Sequence, residues 1–91
     1  MIKVTLLFKS PFQEWFGINK YDMFVESGIT IRNVMSQLMN IPKFNLVVQQ
    51  KNGLLMGRFH ALYAIGDCCV DRDTPLYENV TITLLNPMAG G

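Results

Sequence analysis

Thr30 is followed by apolar residues at Ile31, Val34, Met35, Leu38 and Met39, the i, i+3, i+4, i+7, i+8 spacing of one helical face. Arg32, Asn33, Ser36, Gln37 and Asn40 occupy the opposite face, and Thr30 suits the N-cap because its hydroxyl accepts a first-turn N–H. Pro42 ends the pattern, since the residue before a proline avoids helical backbone angles. A helix with one apolar stripe must bury it against something. No second stripe of this quality exists, so the partner has to be a sheet. The methionines of the stripe are read as core filler.

The remaining chain supplies strands. Ile2, Val4, Leu6 and Phe8 alternate with Lys3, Thr5, Leu7 and Lys9, and the only partly polar second face predicts a central strand covered on one side. Phe12 to Phe16 predicts one helical turn stopped by Gly17. Asn19-Lys20 predicts a turn, and Tyr21 to Glu26 a second strand in a hairpin with the first, broken at Ser27-Gly28. Asn45 to Gln50 fits a strand or a short buried helix equally well. Asn52-Gly53 carries a tight-turn signal leading into Leu54-Leu55-Met56. Ala61 to Ile65 predicts a strand turned by Gly66-Asp67 into Cys68-Cys69-Val70. A loop over Asp71 to Leu76 and a turn at Glu78-Asn79 lead to a last strand, Val80 to Leu85, with Val80, Ile82 and Leu84 on one face. The expected fold is α+β: one domain over residues 1–91, with one main helix packed across a mixed sheet.

Composition narrows the function. The formal net charge of +1, without any basic cluster, argues against a charge-driven nucleic-acid or membrane-surface role. Charged residues make up 16%, below the roughly 25% usual in soluble domains, so part of the surface is expected to serve as an interface. Met1-Ile2-Lys3 runs directly into a strand pattern instead of a leader's apolar stretch. The two cysteines, Cys68 and Cys69, are adjacent and ill-placed for an ordinary disulfide. A reducing, cytoplasmic setting is the expectation.

Catalytic sets are missing from the pattern. His60 has no ligand spacing around it and serves a Cys nucleophile only if the fold brings the two together. Cys68-Cys69 is read as one thiol inward and one outward on a strand. Asp67, Asp71, Asp73 and Glu78 match no calcium-loop spacing, and Gly53 and Gly57 match no phosphate loop. No metal site and no bound cofactor are expected. What stands out is the end: Pro87 lacks the N–H that would extend a ladder, and Met88-Ala89-Gly90-Gly91 follows it. A Gly-Gly end can lie flat in a narrow channel, because no Cβ shields the terminal carboxylate.

Ala64-Ile65-Gly66-Asp67, Asp73-Thr74-Pro75-Leu76, Glu78 to Ile82 and Asn86-Pro87-Met88-Ala89-Gly90-Gly91 together resemble the small subunit of molybdopterin synthase (MoaD) and its ThiS relatives. Met1 to Val4, Phe12 to Gly17 and the Thr30 helix start fit in order and spacing. Residues 40–60 match least. Asn86-Pro87 stands where two prolines are common, and Glu78-Asn79 where a Gly-Asp turn is common. The resemblance implies a β-grasp, ubiquitin-like sulfur carrier with a flexible tail over 86–91. An E1-like adenylating enzyme (MoeB/ThiF type) using ATP and Mg²⁺ would activate the Gly91 carboxylate, and a sulfur donor would convert it to a thiocarboxylate. That end would enter the large synthase subunit (MoaE type) and pass sulfur to a pterin precursor. Gly90 and Gly91 would serve access, Pro87 would aim the tail, and Leu85, Met88 and Ala89 would meet the partner. A ThiS-like thiazole carrier, a ubiquitin-like modifier joined through Gly91, and a non-catalytic β-grasp interaction module are the other readings.

Overall fold

The computed structural model describes residues 1–51 and 61–86. The chain runs β1 (Ile2–Phe8), α1 (Phe12–Phe16), β2 (Lys20–Val25), β3 (Ile29–Thr30), α2 (Ile31–Met39), α3 (Pro42–Lys51), β4 (Leu62–Ile65), β5 (Cys68–Val70), β6 (Pro75–Leu76) and β7 (Val80–Leu85). Five strands form one sheet in the order β2-β1-β7-β4-β5. β1 and β7 are parallel, with Val4 opposite Val80 and Phe8 opposite Leu84, while the other neighbours are antiparallel.

Alternation decides which face is covered. Val4, Leu6, Phe8, Val25, Ile82 and Leu84 are wholly or almost wholly buried and form one cluster with Ile31, Val34, Met35 and Leu38 of α2 and Phe44 of α3. The expected central strand is therefore β1, flanked by β2 and β7. α1 is the expected single turn; Gly17 ends it at φ 74°, donating its N–H to the Gln13 carbonyl. Gly66 turns β4 into β5 at φ 60°, again a left-handed position that glycine holds without strain.

α2 begins at the Thr30 cap, whose Oγ1 accepts the Asn33 N–H at 3.3 Å. Two further first-turn donors reach outside the helix: Ile31 N to the Thr74 carbonyl (3.2 Å) and Arg32 N to the Arg72 carbonyl (2.7 Å). The segment read as a plain loop over Asp71 to Leu76 is thus bound to the helix start, and its Pro75 and Leu76 pair with Thr30 and Ile29 as β6 on β3.

The ambiguous stretch after Pro42 is a second helix. α2 stops at Met39, and Pro42 opens α3 as its first residue, where a missing N–H costs nothing. Asn45 Nδ2 donates to the Met39 carbonyl at 2.8 Å, satisfying one orphan acceptor of α2. Phe44 anchors α3, packing its ring 5.0 Å from those of Phe16 and Tyr21 and 6.1 Å from that of Phe8. The expected Asn52-Gly53 turn, the Leu54-Leu55-Met56 segment and His60 lie outside the described residues.

Candidate functional site

β7 carries the candidate tail, and its end is held from both sides. On one side Lys9 N donates to the Leu84 carbonyl at 3.3 Å; on the other, Leu62 and Tyr63 of β4 pair with Leu85 and Leu84. Leu84 is fully buried. Whatever follows Asn86 therefore leaves from a strand in the middle of the sheet, fixed up to Leu85. Of the site residues read from sequence, Leu85 stands on this platform, half-buried. Pro87, Met88, Ala89, Gly90 and Gly91 lie outside the described residues.

Sequence reasoning named Leu85 as a partner contact but not its neighbours Leu7 and Leu62 around the exit. Leu85, Thr83 and Thr81 point away from the helices, as do Leu7 and Thr5 of β1, and the register sets Leu62 opposite Leu85 and Leu7 opposite Thr83. No described helix packs on this face. At its tail-exit end Leu62 is 48% exposed, and Leu7 and Leu85 are half-buried. An apolar patch thus sits on an otherwise threonine-rich face, beside the point where the tail departs. The strand alternation of Leu7 and Leu85 was a visible signal. Leu62 became part of the patch only through the β4–β7 register.

The ionisable groups are arranged for structure. Arg32 Nε and Nη2 reach Asp73 Oδ1 and Oδ2 at 2.8 and 3.2 Å, an exposed bidentate pair. The hydrogen bond from Arg32 holds the Asp73 carboxyl below its ordinary value, and the same bond raises the Arg32 guanidinium. Burial raises the Tyr63 phenol, opposed by the nearby Arg72 and Arg32 charges. No polar side chain is buried among the described residues, and no group of three or more His, Cys, Asp or Glu converges on a metal-sized site there. Cys68 and Cys69 are both exposed. The register sets Cys68 opposite Ile65 and Cys69 opposite Ala64, on opposite faces as expected, but β5 is the sheet's edge and neither thiol is buried. A concavity of about 670 Å³, lined by Met1, Phe24, Ile29 and Gln37 among others, is at the opposite end of the sheet from β7's exit.

No protein-family model and no curated protein matches this sequence. Solved structures do match its fold over nearly the whole chain. One is a candidate molybdopterin converting factor, subunit 1, from Pyrococcus furiosus: TM-score 0.66, 12% identity, covering 97% of this chain and 100% of that one. Another is SAMP1 from Haloferax volcanii: TM-score 0.72, 11% identity, covering 98% and 99%. A second structure, of the H. volcanii small archaeal modifier protein 1, gives a TM-score of 0.70 at 9% identity, covering 97% and 100%. The fold is a ubiquitin-like β-grasp. In this β-grasp chain the helix layer occupies one sheet face, and the other is left with the patch and the tail exit. At such identities the likeness is one of fold; activity has to be argued from the site. Among the described residues no helix is long and apolar enough to cross a membrane.

Proposed function

We propose that this β-grasp chain is a sulfur carrier whose chemistry resides in its Gly91 carboxylate. The observation that supports the reading is the clamped end of β7 beside an apolar patch, the strand after which the sequence continues as Asn86-Pro87-Met88-Ala89-Gly90-Gly91. A carboxylate is a poor electrophile. An E1-like adenylating enzyme with ATP and Mg²⁺ joins AMP to the Gly91 carboxylate and releases pyrophosphate, which gives the acyl carbon a good leaving group. A sulfur donor then displaces AMP and leaves a thiocarboxylate, a strong sulfur nucleophile. As the small subunit of a molybdopterin synthase, the carrier inserts this end into the large subunit and hands sulfur to a pterin precursor. Leu7, Leu62 and Leu85 provide the apolar contact, Pro87 aims the tail, Met88 and Ala89 meet the partner, and Gly90 and Gly91 fit where a side chain would block. The likeness to a protein described as subunit 1 of molybdopterin converting factor supports this assignment.

The likeness to small archaeal modifier protein 1 favours a second reading, a ubiquitin-like modifier joined through Gly91 to a lysine. Carrier and modifier both need the end of the tail, whereas a plain interaction module does not. The test is ATP–pyrophosphate exchange catalysed by the E1-like enzyme of the same cell, with the full chain and with a chain lacking Gly90-Gly91. Exchange with the full chain and none with the shortened one is expected. Equal exchange with both would refute a tail-borne mechanism. Cellular Gly91 then distinguishes the two readings: a thiocarboxylate marks the carrier, an amide to lysine the modifier.

A further inference from the structure

An apolar patch alone does not fix the rotation of what docks on it, whereas threading a tail requires one orientation. An off-centre charge supplies it, because charged contacts set register and reject wrong partners more than they add affinity. On the β5 side of the patch lies a cleft of about 220 Å³ lined by Ala61, Leu62, Tyr63, Val70, Asp71 and Arg72. It opens at the tail-exit end, since Tyr63 pairs with Leu84 of β7 on one side and Val70 of β5 on the other. Small-molecule sites usually exceed roughly 300 Å³, so the cleft suits a single side chain better than a nucleotide or cofactor.

Arg72 is the cation of this cleft. Its backbone is fixed: its carbonyl accepts the Arg32 N–H at 2.7 Å, and the turn around it is closed by Thr74 N to the Asp71 carbonyl (3.0 Å). The neighbouring groups make contacts of their own, and Asp71 keeps its negative charge in the cleft lining. Arg32 is occupied by Asp73 through two bonds, and Asp71 Oδ1 accepts the Asp73 N–H at 3.1 Å. Among the described residues no ion pair engages the Arg72 guanidinium, whose charge acts on Asp73 only from a distance. The wider charge pattern is mixed, with Lys3 at the far end and Asp71 and Asp73 beside Arg72. Lys9 and Lys20 flank the Leu7 side of the patch, with Glu14 beside Lys20, whereas Glu26, Asp67 and Glu78 lie toward the opposite end of the sheet.

We propose that Arg72 is a specificity-determining contact of the carrier. It takes a carboxylate from an Asp or Glu of the E1-like adenylating enzyme into the cleft beside Leu62, while an apolar side chain of that enzyme covers Leu62 and Leu85. The proposal rests on the reading that this face receives the enzyme acting on the tail. A guanidinium offers a planar fork matched to a carboxylate, so lysine substitutes for it only in part.

The test is the steady-state rate of ATP–pyrophosphate exchange by the purified E1-like enzyme as the concentration of full-length carrier is varied. Arg72→Glu is expected to raise the half-saturating carrier concentration at least tenfold with kcat little changed, the effect shrinking as salt is raised. Arg72→Lys should recover part of the loss, and reversing the partner's acidic residue should rescue Arg72→Glu. Asp67→Lys, at the far end, should leave the half-saturating concentration within twofold. Equal urea midpoints for the variants and the parent chain separate docking from folding. An Arg72→Glu curve that overlays the parent, with the parent active, overturns the assignment and leaves the carrier reading intact. A parent chain supporting no exchange overturns both.

Discussion

Replacing Leu62 with alanine tests whether the exit patch is a docking surface, because the structure divides this side chain between fold and solvent. Leu62 is 48% exposed. Complete burial of a leucine side chain stabilises by about 1.5–3 kcal/mol, so roughly half, about 0.7–1.5 kcal/mol, is available to a partner that covers it. At 1.4 kcal/mol per tenfold, Leu62→Ala should weaken docking about 3- to 10-fold. The half already buried contributes a similar amount to folding, which at about 4–8 °C per kcal/mol lowers Tm by about 3–12 °C. The readouts are the half-saturating carrier concentration in adenylation and a thermal melt of the same preparation. An unchanged half-saturating concentration, with exchange still abolished by loss of Gly90-Gly91, would place docking elsewhere. A stability loss beyond about 3 kcal/mol would place Leu62 in the core and contradict its role as a surface contact.

Phe44→Ala should cost about 3–5 kcal/mol, the range for an almost fully buried aromatic, since it empties the space between Phe8, Phe16 and Tyr21. Urea titration followed by the fluorescence of Trp15 measures it, and a loss under about 1 kcal/mol would contradict the packing of α3. Gly91→Ala should leave folding untouched and slow adenylation, because a Cβ enters the channel; unchanged turnover would count against tail threading. Cys68→Ser combined with Cys69→Ser should change stability by no more than about 0.5 kcal/mol and spare sulfur carriage, both thiols being exposed, and lost carriage would restore a thiol role. Tyr63 gives a pH signature. Its folded phenol titrates above the ordinary value of about 10, so the unfolded chain releases this proton first. Its contribution to stability is present below about pH 10 and declines as pH rises through the alkaline range. Tyr63→Phe should flatten that decline in denaturation curves, and an identical decline in the variant would contradict the assignment.

The elements legible in the sequence were those with a clean period. The 3.6-residue stripe of α2 and the alternation in β1 and β7 each buried the expected face. α3 was not legible because Leu46, Val47 and Val48 form a continuous apolar run with β-branched residues, of which only Val48, together with Phe44 one turn earlier, is buried while Leu46 is 58% exposed. Pro42 was read for the helix it ends and not for the one it begins. The two-residue β3–β6 bridge has no periodicity to detect; it exists because α2's first N–H groups need acceptors and the segment before Pro75 supplies them. At the candidate site, the Gly-Gly end and the proline before it are legible in the sequence, whereas the chemistry proposed for them comes from the family resemblance. The patch and the Arg72 cleft are not legible there, because β4, β5 and β7 meet only through pairings that the fold creates.

The most direct test of the central claim is the intact mass of the chain after incubation with the E1-like adenylating enzyme, ATP, Mg²⁺ and a sulfur source. A gain equal to replacing one oxygen by sulfur, absent when Gly91 is removed, is the predicted result. An unchanged mass with a competent enzyme, and no Gly91-linked conjugates in the cell, would contradict it and leave an interaction module with an inert tail.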